Sequence, residues 1–353
     1  MPPSYSLVEK LLHRFHLLPS PVLDAFGAVV FARALTVGLR RGLFESLVRR
    51  PLSLDELSGE TGLTRGGVQL LADACVAGGY LRCRGGIYSA TPETRKWLAR
   101  SSKTYLGDLI CYFDSLNARL GGLEYALEHG KPREPYYASF TEEDWGTYVR
   151  GMANLARLLI PEVIRRIKIP GSGGRILDLG GSHGLYSAEC CRRSAGCNAL
   201  VMDFAPALQW GAAMHEADPA GRVIFSSGDI LTAEFPPGQD AVFMFNILHG
   251  FDEETNRSLI ARASRALREG GRLYILDQMT GTGRRSPLSQ FIPLMVGLNL
   301  MNEIGGSAHS VARVRSWCAH AAMFRVMPLR FPGVTLIEAA GWNIPAGNAS
   351  HGT

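Results

Sequence analysis

Residues 175–184 read RILDLGGSHG, and this stretch restricts what the chain can fold into more than any other. Three apolar residues, Ile176, Leu177 and Leu179, flank the acidic Asp178, and a tight turn follows at Gly180, Gly181 and Gly184. The next residues, LYSAECCRR, carry the apolar spacing of a helix start. A buried strand, a glycine turn and a helix N-terminus together make a ligand cradle. Glycines let backbone N–H groups approach a ligand closely, and the helix end adds a partial positive charge. A dinucleotide fold asks for G-x-G-x-x-G with its acidic residue about 20 positions later. Here the turn is G-G-S-H-G, and the acidic residue precedes it. The Lys-Ser/Thr ending of a P-loop is missing too, which argues against a triphosphate. A carboxylate at the strand end suits a cationic ligand, such as the amino group of an amino-acid moiety.

At 353 residues the chain has room for two domains and a large core. Hydrophobic residues at 46% and charged residues at 20% give the balance of a globular protein. A net charge of +5 without a long Lys/Arg run does not imply nucleic-acid binding. The N-terminal MPPSYSLVEKLLHRFHLL reads as an amphipathic helix rather than a signal peptide, and no stretch reads as apolar for long enough to span a bilayer. Seven cysteines without metal-type spacing fit a reducing cytoplasm, and Cys190 and Cys191 read as buried thiols.

Residues 1–100 read as helices followed by a wing. Residues 28–47 carry helical spacing, and Ser53 caps the next helix with Glu56 as its capping-box partner. Thr64 caps RGGVQLLADACVAGGY, LRCRGGIYSAT reads as a hairpin around Gly85-Gly86, and PETRKWL as a further helix. Helix-turn-helix plus wing is also a DNA-binding architecture. The second helix, however, offers only Arg65 near its start, where a recognition helix needs several Arg, Lys, Asn or Gln. A protein–protein interface is the expectation. Residues 101–170 read as a helical linker interrupted at GKPREPYY. From 171 to 345 short apolar runs (RILDLG, ALVMDF, RVIFSS, DAVFMFN, RLYILD) alternate with helical segments such as DEETNRSLIARASRALREGG, which ends in glycine. That alternation predicts an α/β domain with a mostly parallel sheet covered on both faces. FRVMPL and GVTLIEA read as a hairpin-like pair at one sheet edge, and residues 346–353 as a disordered tail.

Taken in order, these motifs resemble the S-adenosylmethionine-dependent small-molecule O-methyltransferase family of plants and bacteria, over residues 20–342. The resemblance implies a winged-helix-like N-terminal domain for homodimerisation and a Rossmann-like class I methyltransferase domain. It implies S-adenosyl-L-methionine as methyl donor, a small aromatic secondary metabolite as acceptor, and no nucleic acid, membrane or metal. LDLGGSHG matches the donor motif, with Ser182 in place of the third glycine; Asp203, at the end of VMDFAP, matches the residue that accepts both ribose hydroxyls. Phe204 beside it would pack on the adenine. Gly228-Asp229-Ile230 matches the family's GD motif, in which the carboxylate accepts from the adenine amino group and the apolar neighbour packs on the ring. Asn246 falls among the donor residues.

His249, in FNILHGFDEE, matches the general-base histidine of the family's L-H-D-W segment. Methyl transfer from a sulfonium is an in-line displacement, so the enzyme mainly aligns the acceptor and assists loss of its proton. Histidine titrates near 6.5, which suits a phenolic proton. Departures stand beside the match: the family's Asp and Trp after this histidine are Gly250 and Phe251, and its later glutamate is Ala308, next to His309. Asp277 matches the carboxylate at the fifth strand's end. Support for the base then comes from His309, Glu303 or Asp277, or proximity alone drives transfer, or a carbon or nitrogen acceptor needs little base help. A metal site from His183, His249 and His309 has no recognisable spacing. TYVRGMANL matches an acceptor-facing helix, pointing to Tyr148 and Met152, and Asn299, Asn302 and Glu303 face the same pocket by resemblance. Two other readings remain open: a non-methylating donor-binding descendant of the same fold, and a winged-helix regulator with a ligand-sensing domain.

Overall fold

The computed structural model describes residues 7–15, 17–215, 221–284 and 286–343; the tail expected at 346–353 lies outside these. The chain divides into two units, one of residues 1–118 with 150–157, the other of 119–149 with 158–353.

In the first unit, α1 (Leu7–Arg14) precedes a continuous helical run, Ser20–Arg40, that ends in α2 (Ala28–Arg40). Helix α3 (Leu43–Arg49) leads into the short strand β1 (Leu52–Ser53) and α4 (Leu54–Thr61). Ser53 and Glu56 form the expected capping box, and the Thr64 side chain accepts from Gly67 N–H to start α5 (Arg65–Ala77). Strands β2 (Leu81–Arg84) and β3 (Ile87–Ala90) make the expected hairpin. Its turn uses Gly85 and Gly86 at φ 57° and 78°, the left-handed pair such a turn requires. α6 (Pro92–Trp97) and α7 (Gly107–Asn117) follow. Leu43, Phe44, Leu47, Leu57, Val68 and Leu81 form the core of this unit. Arg65, the cation at the start of α5, is ion-paired to Asp55 at 2.7 Å.

One sequence expectation is overturned here. The run Ser20–Arg40 has a mean hydropathy of 1.8 over its most apolar window and is, by length and composition, long and apolar enough to cross a membrane.

In the second unit, α8 (Leu123–His129) and α9 (Glu142–Val163) precede the sheet. Residues 150–157 of α9 belong to the first unit for a packing reason. Gly151 lets the helix backbone lie against Leu109 and Tyr112, and Asn154 Oδ1 accepts from Asp108 N–H at 3.1 Å. By its contacts the first unit therefore runs to residue 118 and takes in one stretch of α9.

Seven strands follow: β4 (Arg175–Leu179), β5 (Asn198–Asp203), β6 (Val223–Ser227), β7 (Gln239–Phe245), β8 (Leu267–Gln278), β9 (Ala321–Pro328) and β10 (Val334–Trp342). Their order is β6-β5-β4-β7-β8-β10-β9, parallel from β6 to β8, with β10 and β9 antiparallel as the expected edge pair. Helices α10 (Leu185–Arg193), α11 (Ala205–Ala213) and α12 (Glu253–Ala266) make the crossovers, and α13 (Pro287–Ile304) and α14 (Val311–Trp317) stand between β8 and β9. Every residue of β7 is buried, and from Ala241 to Phe245 it is the continuous apolar run of a strand covered on both faces. Leu177, Val242, Ile275, Leu259, Ile260 and Trp317 share one core. One boundary differs from expectation: α12 stops at Ala266 without a glycine cap, and LREGG opens β8, its register against β7 shifting between Gln239 and Ala241. Chain order reverses between β4 and β7, so a crevice forms at the carboxyl ends of these strands, where open α/β sheets bind ligands.

Candidate active site

Strand β4 delivers the glycine turn to that edge. Gly180 takes φ 64° and donates its N–H to Met202 O at 2.7 Å; a side chain there would stand 2.1 Å from Ile247 Cδ1. Ser182 is held at φ 32°, and Gly184, at φ 63°, is the N-cap of α10. The turn is clamped from behind as well, because a Cβ on Gly211 of α11 would lie 2.0 Å from Ser182 O. Backbone geometry, rather than side-chain chemistry, shapes this cradle.

Two carboxylates adjoin it. Asp178 is 2% exposed and lies beneath Gly181, with Oδ2 accepting from Ser187 Oγ at 2.7 Å. Burial raises its carboxyl to about 7, against the Ser187 hydrogen bond and with help from the charge of Asp203. Asp178 is therefore under the turn rather than at its mouth. Asp203 accepts from Ser182 N–H at 2.9 Å through Oδ2 and from Phe204 N–H at 2.7 Å through Oδ1. Burial raises it to about 6 against those two bonds. It does not cap α11, whose N-cap is Phe204 without a side-chain bond. Phe204 is half-exposed, its ring centroid 6.0 Å from that of Tyr137.

Gly228 N–H donates to Asp203 O at 3.0 Å, which sets the GD motif beside Asp203. Asp229 Oδ1 accepts from Leu231 N–H at 2.9 Å and so stabilises its own turn. Ile230, expected beside the adenine, is buried in the central core, and its exposed apolar neighbour is Leu231. Asn246 sits at φ 56°, its Oδ1 accepting from Gln278 Nε2 at 3.1 Å.

His249 stands just past β7, and Asp277 near the end of the adjacent β8. His249 Nδ1 donates to Asp277 Oδ1 at 2.6 Å, and its backbone N–H donates to Oδ2 at 3.2 Å. The double contact fixes ring and tautomer and leaves Nε2 as the basic nitrogen, with a side-chain exposure of 16%. Burial pulls the imidazole's affinity for protons down. The charge and hydrogen bond of Asp277, joined by the charge of Glu303, outweigh it, so His249 titrates above its ordinary 6.5.

The other expected supports are placed differently. His309 is 5% exposed and bonds through Nε2 to Leu248 O at 2.9 Å, with its ring edge-on to Trp317. It braces the loop that carries His249 and does not reach that imidazole. Asn256, which the sequence reading passed over, does the same work, donating to Leu248 O and Phe251 O at 2.9 Å. A fully buried asparagine on the core face of an amphipathic helix was its only signal. Gly306 was missed as well: a Cβ there would stand 2.2 Å from His249 O.

On the acceptor side, Glu303 is 3% exposed and accepts from Asn299 Nδ2 at 2.6 Å. Burial raises it to about 7, opposed by that bond and by the charges of His249 and Arg119. Asn302 is buried and donates to Arg119 O at 3.3 Å. The Tyr148 hydroxyl is held well above its usual range by burial first, then by Tyr136, Asp203 and Glu303, so it lies in the fields of both the donor-side and acceptor-side carboxylates. Met152 falls in the first unit, on the segment 150–157. Among the described residues no group of three or more His, Cys, Asp or Glu is arranged to hold a metal.

Comparisons with known proteins agree with this geometry. Residues 114–322 match the O-methyltransferase domain model and residues 23–100 the O-methyltransferase dimerisation domain model. The chain is 24% identical over 335 residues to 3-hydroxy-5-methyl-1-naphthoate 3-O-methyltransferase of Streptomyces sahachiroi, covering 91% of this chain and 94% of that protein. To acetylserotonin O-methyltransferase of Bos taurus it is 25% identical, covering 86% and 92%. The solved structure of human N-acetylserotonin methyltransferase in complex with SAM superposes with a TM-score of 0.80 at 20% identity, covering 97% of this chain and 100% of that one. With a family model spanning more than half its length, the chain belongs to the S-adenosylmethionine-dependent O-methyltransferase family.

Proposed function

We propose that this protein transfers the methyl group of S-adenosyl-L-methionine to a hydroxyl of a small aromatic metabolite, with His249 as general base. The observation that carries this reading is the 2.6 Å bond from His249 Nδ1 to Asp277. It supplies the oriented base that the departures at Gly250 and Ala308 left in doubt. When bound, the donor supplies an activated methyl carbon on a sulfonium. Asp203 accepts from its ribose hydroxyls, and the glycine turn admits its amino-acid part over the buried charge of Asp178. Phe204 and Asp229 flank the adenine. On the other side Tyr148, Asn299, Asn302 and Glu303 hold the acceptor ring. His249 Nε2 then takes the hydroxyl proton as the oxygen attacks, and Asp277 stabilises the resulting imidazolium.

In this reading the protein works as a homodimer through its N-terminal domain, which matches the dimerisation domain model. It acts in a reducing cytoplasm, where seven unbridged cysteines are stable. Substituting His249→Ala is expected to lower turnover of a hydroxyaromatic acceptor by about 100-fold or more while donor affinity is kept. Calorimetry with S-adenosylhomocysteine and transfer of labelled methyl test both halves. Near-normal turnover in the variant removes the base assignment, and absence of saturable donor binding removes the whole reading.

A further inference from the structure

A cavity of about 170 Å³ opens beside the acceptor-facing end of α13, with Arg119, Tyr125, Arg133, Tyr136, Asn302 and Glu303 in its wall. It adjoins the base: Glu303 and His249 lie in each other's field, and Ile304 packs 3.4 Å from where a side chain on Gly250 would begin. Its size takes a single small ring or one substituent of a larger acceptor, and not a fused ring system.

The charge in this cavity is unusual. Arg119 is held over the Phe140 ring at 5.5 Å and donates Nη1 to Ser139 Oγ at 2.9 Å and to Tyr136 O at 3.3 Å. Arg133 is held over the Tyr125 ring at 4.3 Å. Aromatic faces fix both guanidinium planes and leave donor edges open. Among the described residues neither arginine has a carboxylate within ion-pair distance. Burial raises Glu303, in the same wall, to about 7; the charge of Arg119 also reaches Asp144, and Glu134 lies at the exposed rim. Asn302 is 7% exposed, its Oδ1 buried against Gly122, so it closes the cavity wall and presents no acceptor oxygen to an incoming anion.

We propose that this cavity receives a carboxylate carried by the acceptor, gripped by the guanidinium groups of Arg119 and Arg133, so that the preferred substrates are hydroxyaryl carboxylic acids. The inference deepens the O-methyltransferase reading and rests on His249 as the centre where the hydroxyl reacts. Fork-shaped donors match a carboxylate's two oxygens, and the pairing sets the ring's angle relative to His249.

The test compares two acceptors that differ only in charge, 6-hydroxy-2-naphthoate and 6-hydroxy-2-naphthamide, using the whole protein. Binding is read by calorimetry with S-adenosylhomocysteine present, and kcat/KM by methyl transfer. The carboxylate is expected to be favoured about tenfold or more in both. The double substitution Arg119→Gln with Arg133→Gln is expected to bring that ratio to within about twofold, and Arg119→Lys, which keeps charge but loses the fork, to leave it intermediate. Equal use of the amide by the unmodified protein, or a preference that survives the double substitution, overturns the proposal. If the double variant does not fold, the unmodified protein and Arg119→Lys still decide. The two readings fail separately. An amide methylated as well as the acid removes the carboxylate subsite and keeps the methyltransferase. Arginine-dependent binding of the acid with no donor binding does the reverse.

Discussion

Asp277 sets how His249 behaves across pH. The imidazole acts as a base only when neutral, and Asp277 holds its titration above 6.5, so kcat/KM should fall as pH drops through that raised value. In Asp277→Asn the charge that opposes burial is gone. The acid limb of the pH–rate profile should then move to lower pH, while the plateau falls by about 100-fold because the tautomer is no longer fixed. A limb that stays in place shows that another group controls the titration. The donor side has the opposite acid–base character. Asp178 and Asp203 are raised to about 7 and about 6, above their unfolded values, so the donor-free fold binds extra protons and gains stability as pH falls through that window. A cationic donor favours the ionised carboxylates. Its Kd should therefore rise severalfold from pH 8 to pH 5.5, and Asp203→Asn should weaken binding at pH 8 and flatten the dependence. A Kd indifferent to pH in the unmodified protein contradicts this. Sequence spacing exposed these carboxylates because strand ends mark themselves by a hydrophobic run followed by glycine or proline. It did not show that Asp178 lies beneath the turn or that Ile230 faces the core, since both depend on which way one side chain turns.

Among elements, the clamp of α11 on the glycine turn is the tightest contact at the site. A methyl group on Gly211 would meet the backbone of Ser182 at 2.0 Å, and backbone cannot swing aside as a side-chain tip can. Gly211→Ala should cost about 1–3 kcal/mol of stability and weaken donor binding, read together as a lower Tm and a smaller Tm gain with S-adenosylhomocysteine. An unchanged Tm means that α11 can slide. This contact was not legible beforehand, because Gly211 sits in an ordinary helical sequence, QWGAAM, whose neighbour is far away along the chain. Caps were legible: Ser53 with Glu56, and Thr64, declare themselves within four residues. The end of α12 was misread for the same local reason. Gly270 and Gly271 look like a helix stop, yet the strand already begins at Leu267 under the pull of pairing with β7.

For the molecule as a whole, the run Ser20–Arg40 carries the main consequence. Val22, Phe26, Val29 and Val30 are 52–70% exposed, and residues 23–100 match the dimerisation domain model. A second copy covering this face would account for its apolar character. Phe26→Asp combined with Val30→Asp should convert a dimer at micromolar concentration to monomer in analytical ultracentrifugation. A dimer that persists moves the interface elsewhere. Sequence reading gave the α/β domain, its sheet order at the closing edge and the helical wing unit. It did not find the apolar length of this run, because Asp24 and Arg33 interrupt it without making it polar.

His249, just past the end of β7, and Asp277, near the end of the adjacent β8, are carried by neighbouring parallel strands, so their approach follows the roughly 4.8 Å between strands more than the chain that joins them. The solvent face of the crossover between residues 253 and 266 is free, in evolutionary terms, to be redecorated while this pair keeps its dimensions, provided the buried Asn256, Leu259 and Ile260 stay in place. Relatives with altered crossovers should therefore retain the same chemistry, and a grafted insertion at the solvent face of that crossover is where this scaffold can be remodelled most safely.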